Sequence, residues 1–254
     1  MDISIGMVAI ACVACFFAGI MNASGGSGGL LSVPALMLCG LDPHDALGTN
    51  KVRAIMCLGL AVFRYAKNGF INWKLAIPCV AGSVIGAVLG SNLSLLASDK
   101  LLIYMMFAIL PICAWATLSK KGVSGDRDET VVVTPKLLVT LGIIALACGF
   151  YDGFYGPGSG TFLVVGLALF TNLGVKTVTA HAKLINFSDN LAAFVVFLVN
   201  GRMVIWLGLL VGACSMIGAW IGAGAVMKSG AKMMKPLLLV ALVLLVVNLV
   251  TKFL

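Results

Sequence analysis

The chain has 254 residues, 61% of them hydrophobic and 10% charged, with a mean hydropathy of +1.12. Soluble domains carry about 25% charged residues, so a soluble globular protein is excluded and an all-α polytopic membrane protein is expected. A net charge of +8 would suggest nucleic acid in a soluble chain. Here it reads as lysine and arginine gathered on the cytoplasmic side, with a remainder available to a small anionic substrate. Membrane lipid is the other expected partner; nucleic acid is not.

The opening Met1-Asp2-Ile3-Ser4-Ile5-Gly6 lacks the basic stretch of a cleavable signal, so the first apolar run, residues 5–21, is expected to be a retained span. It ends in a glycine-rich break, Gly19-Ile20-Met21-Asn22-Ala23-Ser24-Gly25-Gly26-Ser27-Gly28-Gly29. A short apolar piece follows at 30–40, too short to cross about 30 Å of hydrocarbon alone. Asp42-Pro43-His44-Asp45 offers a helix cap, and long runs follow at 46–65, 75–96 and 101–118. Within the second of these, Gly82, Gly86 and Gly90 form a small-residue stripe where helices can approach closely.

The one hydrophilic loop runs from Ser119 to Thr130. It divides the chain into a first transmembrane repeat, 1–118, a cytoplasmic linker, 119–134, and a second transmembrane repeat, 135–254. Thr134-Pro135 restarts a helix with a cap and a first-turn proline. The long runs of the second half fall at 137–151, 178–199, 204–227 and 236–253, with a short piece at 161–171 after a second break, Gly149 to Gly160. The expectation is thus about eight long transmembrane helices plus two short, glycine-broken half-membrane segments. All eight cysteines (Cys12, Cys15, Cys39, Cys57, Cys79, Cys113, Cys148 and Cys214) sit in or beside apolar runs and read as small packing residues rather than redox or metal groups.

The halves align. Gly19, Asn22, Gly26 and Gly28 match Gly149, Asp152, Gly156 and Gly158 at a displacement of 130, and Lys51, Gly69, Gly86 and Gly90 match Lys183, Gly201, Gly218 and Gly222 at 132. Equivalent loops carry opposite charge: Arg64, Lys67 and Lys74 stand against Arg202 alone, while Lys100 stands against Lys228, Lys232 and Lys235. Inverted repeats under a positive-inside constraint produce that pattern, with the linker inside and both termini outside. A parallel pair of repeats with re-entrant short pieces is the alternative.

The two breaks, Val33-Pro34-Ala35-Leu36, Thr49-Asn50-Lys51 and Ala182-Lys183-Leu184-Ile185-Asn186 resemble the sulfite exporter TauE/SafE family, also known as toluene-sulfonate uptake permeases and including YfcA-like proteins. The likeness covers nearly the whole chain. It implies a permease of a prokaryotic cytoplasmic (inner) membrane for small sulfur-containing or organic anions such as sulfite, sulfonates or sulfoacetate. The first break has Ala23 where the family often has glycine, with Ser24 and Ser27 among its glycines.

A small oxyanion needs hydrogen-bond donors and positive potential, and half-helix N-termini supply both. The breaks therefore nominate Asn22, Gly25, Gly26, Gly28, Gly156, Gly158 and Ser159 as substrate-binding residues. Lys51 and Lys183 occupy equivalent positions in apolar runs, where a charge must be paired, wetted or snorkelled to the interface. They join the site with Asn50 and with Asn186, which shares a helical face with Lys183 and Asn190. Arg53 is expected to face away from Lys51. Asp152, His181 and Asp189 are the candidates for a coupling H+ or Na+, although Asp152 can equally pair with Lys51 or Lys183. No metal site, cofactor or catalytic residue is expected, since HExxH and P-loop patterns do not occur. An anion channel, and a membrane-embedded enzyme using Asp152, His181 and Ser159, are the competing functions.

Overall fold

In the computed structural model, residues 4–23, 27–118 and 133–229 are described. Gly25, Gly26, the linker as far as residue 132 and the final run at 236–253 lie outside them. All regular structure among the described residues is helical: α1 (Ile5–Ala23), α2 (Gly29–Leu38), α3 (Pro43–Lys67), α4 (Trp73–Leu96), α5 (Asp99–Leu118), α6 (Pro135–Phe154), α7 (Ser159–Phe170), α8 (Val175–Val199) and α9 (Ile205–Ser229). The starts are chemically marked. Asp42 accepts from the Asp45 N–H at 2.8 Å ahead of Pro43, and Thr134 accepts from Leu137 N–H at 3.2 Å ahead of Pro135. The stops at Gly69 (φ 73°) and Gly201 (φ 65°) use left-handed backbone that suits glycine.

Five helices (α1, α3, α4, α6 and α8) are long and apolar enough to cross a membrane, and α5 and α9 run for 20 and 25 residues. The protein is a multi-pass membrane protein. By contrast α2 has 10 residues and α7 has 12, a rise of about 15–18 Å, half the hydrocarbon thickness. The breaks themselves are shorter than the glycine runs suggested. α1 continues through Asn22 and α6 through Phe154, so the second break spans only Tyr155 to Gly158.

Glycines set the helix pairing. On α4, a Cβ at Gly82, Gly86 or Gly90 would lie 2.5, 2.2 or 2.0 Å from the carbonyl oxygens of Gly142, Leu146 and Phe150 on α6. The rising order in both helices makes α4 and α6 parallel neighbours. The equivalent pair is α1 with α9, where a Cβ at Gly19 would lie 1.9 Å from Ser215 O and one at Gly218 1.9 Å from Phe16 O. Opposite its seam, α4 exposes Ile77, Ile85, Leu89 and Leu93, an apolar face suited to lipid.

The centre is the α3–α8 pair. Gly48 lies against Phe197 and Arg202 O, whereas Gly59, three turns on, lies against Phe187, so these equivalent helices run antiparallel. Charge divides between the two ends of the bundle. Arg64, Lys67, Lys74, Lys136 and Lys176 belong to one end, where the α3–α4 turn meets the start of α8 and Lys176 sits over Phe70. The other end holds Asp42, Asp45, Asp99, Lys100 and Arg202, tied by Arg202–Asp42 (3.5 Å) and His44–Asp99 (2.9 Å) contacts.

Candidate functional site

The two short helices begin beside each other. Gly28 N–H, at the start of α2, donates to Asn22 Oδ1 at 3.0 Å, so the last turn of α1 caps the helix that follows it. Gly158 N–H, at the start of α7, donates to Ser27 Oγ at 2.9 Å, which joins the halves. A Cβ on Gly29 would lie 3.2 Å from Pro157 Cα, so the two N-termini are in near contact. Gly156 and Gly158 (φ 96° and 98°) make the second turn possible; a Cβ on Gly156 would also sit 3.2 Å from Lys51 Nζ.

Beside these N-termini lies a small polar cleft. Its lining includes Asn22, Ser27, Gly28, Asn50, Arg53, Asp152, Gly156, Ser159, Asn186 and Asn190. Six of the residues proposed from the sequence as substrate contacts, Asn22, Gly28, Asn50, Gly156, Ser159 and Asn186, come together here with Asp152. Gly158 stands at the α7 start behind them.

The lysines are placed differently. Lys51 is 1% exposed, and its Nζ lies 2.7 Å from both Asp152 Oδ2 and Asp152 O. Lys183 Nζ donates to Asn22 O at 2.8 Å. Each therefore reaches from α3 or α8 to a carbonyl in the last turn of the broken helix opposite, where orphan carbonyls carry the negative end of the helix dipole. Neither lysine is among the cleft-lining residues, whereas Arg53 is. Arg53 does face away from Lys51, and that direction is toward the cleft. Its Nε donates to Asn50 Oδ1 at 2.8 Å and its Nη1 to Ser215 Oγ at 3.0 Å. The sequence signal was present: Asn50 and Arg53 are three residues apart and share a helical face.

A hydrogen-bonded chain links the remaining polar groups. Ser159 donates its hydroxyl to Asp152 Oδ1 and accepts from Asn186 Nδ2 at 3.0 Å. Asn190 Nδ2 reaches Asn186 O at 2.7 Å and Asp189 Oδ1 at 3.0 Å. Asp189 is fully buried, and its Oδ2 has no partner among the described residues. His181 stands apart at the basic end, its ring nitrogens 2.8 Å from Thr177 O and 3.2 Å from Asn72 O; it ties α8 to the α3–α4 turn. Among the described residues no His, Cys, Asp and Glu cluster has the makings of a metal site.

Chemically, the cleft offers amide and hydroxyl donors, two helix N-termini and one guanidinium. That is a set for holding an anion.

Comparison with known proteins agrees in kind. The family model described as sulfite exporter TauE/SafE matches residues 11–249. A Sinorhizobium protein named "Probable membrane transporter protein ORF9" is 37% identical over 249 residues, covering 98% of this chain and 94% of that one. A transporter of the same description from Haemophilus influenzae is 32% identical over 94% of this chain and 93% of its own. The Escherichia coli K12 transporter YfcA is 28% identical over 88% and 82% respectively. No solved structure matches the chain.

Proposed function

The chain belongs to the sulfite exporter TauE/SafE family, and from that premise we propose that it is a secondary permease for small sulfur-containing or organic anions. Sulfite, sulfonates and sulfoacetate are the class in view, moved across the cytoplasmic membrane of a prokaryote by alternating access rather than through an open channel or by an enzymatic step.

One observation carries this reading: two half-membrane helices, one from each half of the chain, start side by side at a polar cleft. Discontinuous helices aimed at a shared centre suit a carrier, because their positive dipole ends favour an anion without a fixed pore. Inverted repeats are the arrangement in view. The antiparallel run of α3 and α8, and the pairing of α4 with α6 as α9 pairs with α1, support it. The segregation of Arg64, Lys67, Lys74, Lys136 and Lys176 to one end supports placing that end, and the linker 119–134, in the cytoplasm. The substrate residues of this reading are those of the cleft, with Gly25 and Gly26, which lie outside the described residues, and with Lys51, Lys183 and Gly158 as its supports. A coupling H+ or Na+ would be taken by Asp189 or Asp152, the two intramembrane carboxylates, ahead of His181.

Reconstitution tests it. Proteoliposomes loaded with unlabelled sulfite or a small sulfonate should take up labelled anion by saturable counterflow. Unsaturable, conductive flux would instead assign a channel, and no flux of any such anion would end the permease reading.

A further inference from the structure

We propose that Arg53, rather than the symmetric pair Lys51 and Lys183, is the cation on which the transported oxyanion docks. The proposal rests on the permease reading and assigns the charge within its site.

The charges buried in the bundle are few enough to take one at a time. Lys51 is neutralised by Asp152 at 2.7 Å. Lys183 is engaged with Asn22 O and does not line the cleft. Asp189 accepts from Asn190. Arg53 is 2% exposed, yet no carboxylate of the described residues lies within salt-bridge distance of it. Both of its hydrogen bonds go to neutral oxygens, on Asn50 and Ser215. A guanidinium cannot shed its charge by deprotonation. Among the described residues it is thus a permanent, buried cation without a paired counter-charge, and a substrate anion would supply one.

The geometry gives that anion its place. Two of the five N–H donors of Arg53 are engaged among the described residues, by Asn50 and Ser215. The guanidinium lies against the start of α2: a Cβ on Gly28 would come within 3.1 Å of Nη1. The positive end of the α2 dipole and the planar fork of Arg53 therefore converge on one wall of the cleft, and an oxyanion can take both together. Sulfite, a small sulfonate or a carboxylate each present the paired oxygens that a guanidinium fork takes.

The site is also off the symmetry of the duplication. At the displacement of 132 that relates Lys51 to Lys183, the counterpart of Arg53 is Ile185. The lysines repeat because both halves must close a broken helix; the docking cation occurs once because there is one anion.

Purified protein in detergent is titrated with sulfite, methanesulfonate and acetate, and the anion that wild type binds is followed in the variants. Arg53→Gln should weaken it at least 100-fold, and Arg53→Lys, which keeps the charge and loses the fork, at least 10-fold with altered preference among the three anions. Arg202→Gln removes an exposed positive charge and should leave affinity unchanged, which controls for net charge. Gel filtration reports folding, and if Arg53→Gln is not monodisperse, Arg53→Lys decides. Wild-type affinity and preference in a folded Arg53 variant overturn the docking role while leaving the permease intact. Failure of wild type to bind or exchange any of the anions overturns both.

Discussion

The two broken-helix junctions share a backbone plan and differ in charge. At the first, Lys183 meets the carbonyl of Asn22, a neutral residue, and Asn22 spends its side chain capping Gly28. At the second, Lys51 meets both the carbonyl and the carboxylate of Asp152, and that carboxylate also receives the Ser159 hydroxyl. The lysine-to-carbonyl contact is the common structural device; at the second junction Lys51 adds an ion pair with Asp152. The two lysines thus share a structural contact, whereas Arg53, which has no lysine or arginine at its counterpart Ile185, lines the cleft.

Breaking each lysine contact in turn should expose this asymmetry. Lys51→Met leaves a buried carboxylate without its cation and should cost about 3–5 kcal/mol. Lys183→Met removes a charge-assisted hydrogen bond to a carbonyl and should cost about 1.5–3 kcal/mol. Chemical unfolding of the detergent-solubilised variants measures both. In the double variant with Asp152→Asn, much of the Lys51→Met loss should return, since the stranded charge is gone. Equal losses at the two lysines would mean that the ion pair adds nothing to the shared contact.

A smaller effect is expected at the glycine seams, where the halves are alike. An alanine at Gly86 or its counterpart Gly218 places a methyl 2.2 or 1.9 Å from a backbone oxygen of the partner helix, so each should destabilise by about 1–3 kcal/mol. Gly59→Ala meets only the Phe187 ring at 3.3 Å, a side chain that can yield, and should be near neutral. Thermal unfolding of the three variants compares them; loss at only one seam would break the equivalence of α4–α6 with α1–α9.

The smallest effect tests the link between the halves. Ser27→Ala deprives Gly158 N–H of its acceptor across the break and should cost about 0.5–2 kcal/mol, as loss of a helix cap does. Asn22→Ala does the same to Gly28 within one half. Because Ser27 gives the α7 start a hydrogen bond from the other half of the chain, its loss should also lower anion affinity, read by the same titration. An unchanged affinity in Ser27→Ala would show that the α7 N-terminus is not part of the binding wall.

Membrane residence, the helical class and the two half-length pieces were all legible in the sequence. They follow from local quantities: hydropathy over a span, glycine spacing, capping residues and charge per loop. The gathering of Asn22, Asn50, Asp152, Ser159 and Asn186 was legible as well, because residues flanking matching breaks must meet if the halves pack about a common centre. Which cation faces the cleft was not. Lys51 and Arg53 lie two residues apart on one helix, and helical geometry says only that they point different ways. Which way is inward depends on what α3 packs against: α6 brings Asp152 to one side of it and α9 brings Ser215 to the other. Those contacts join residues 101 and 162 positions apart, so no local pattern encodes them, and the tertiary packing alone decided that Lys51 is paired with Asp152 and that Arg53 lines the cleft.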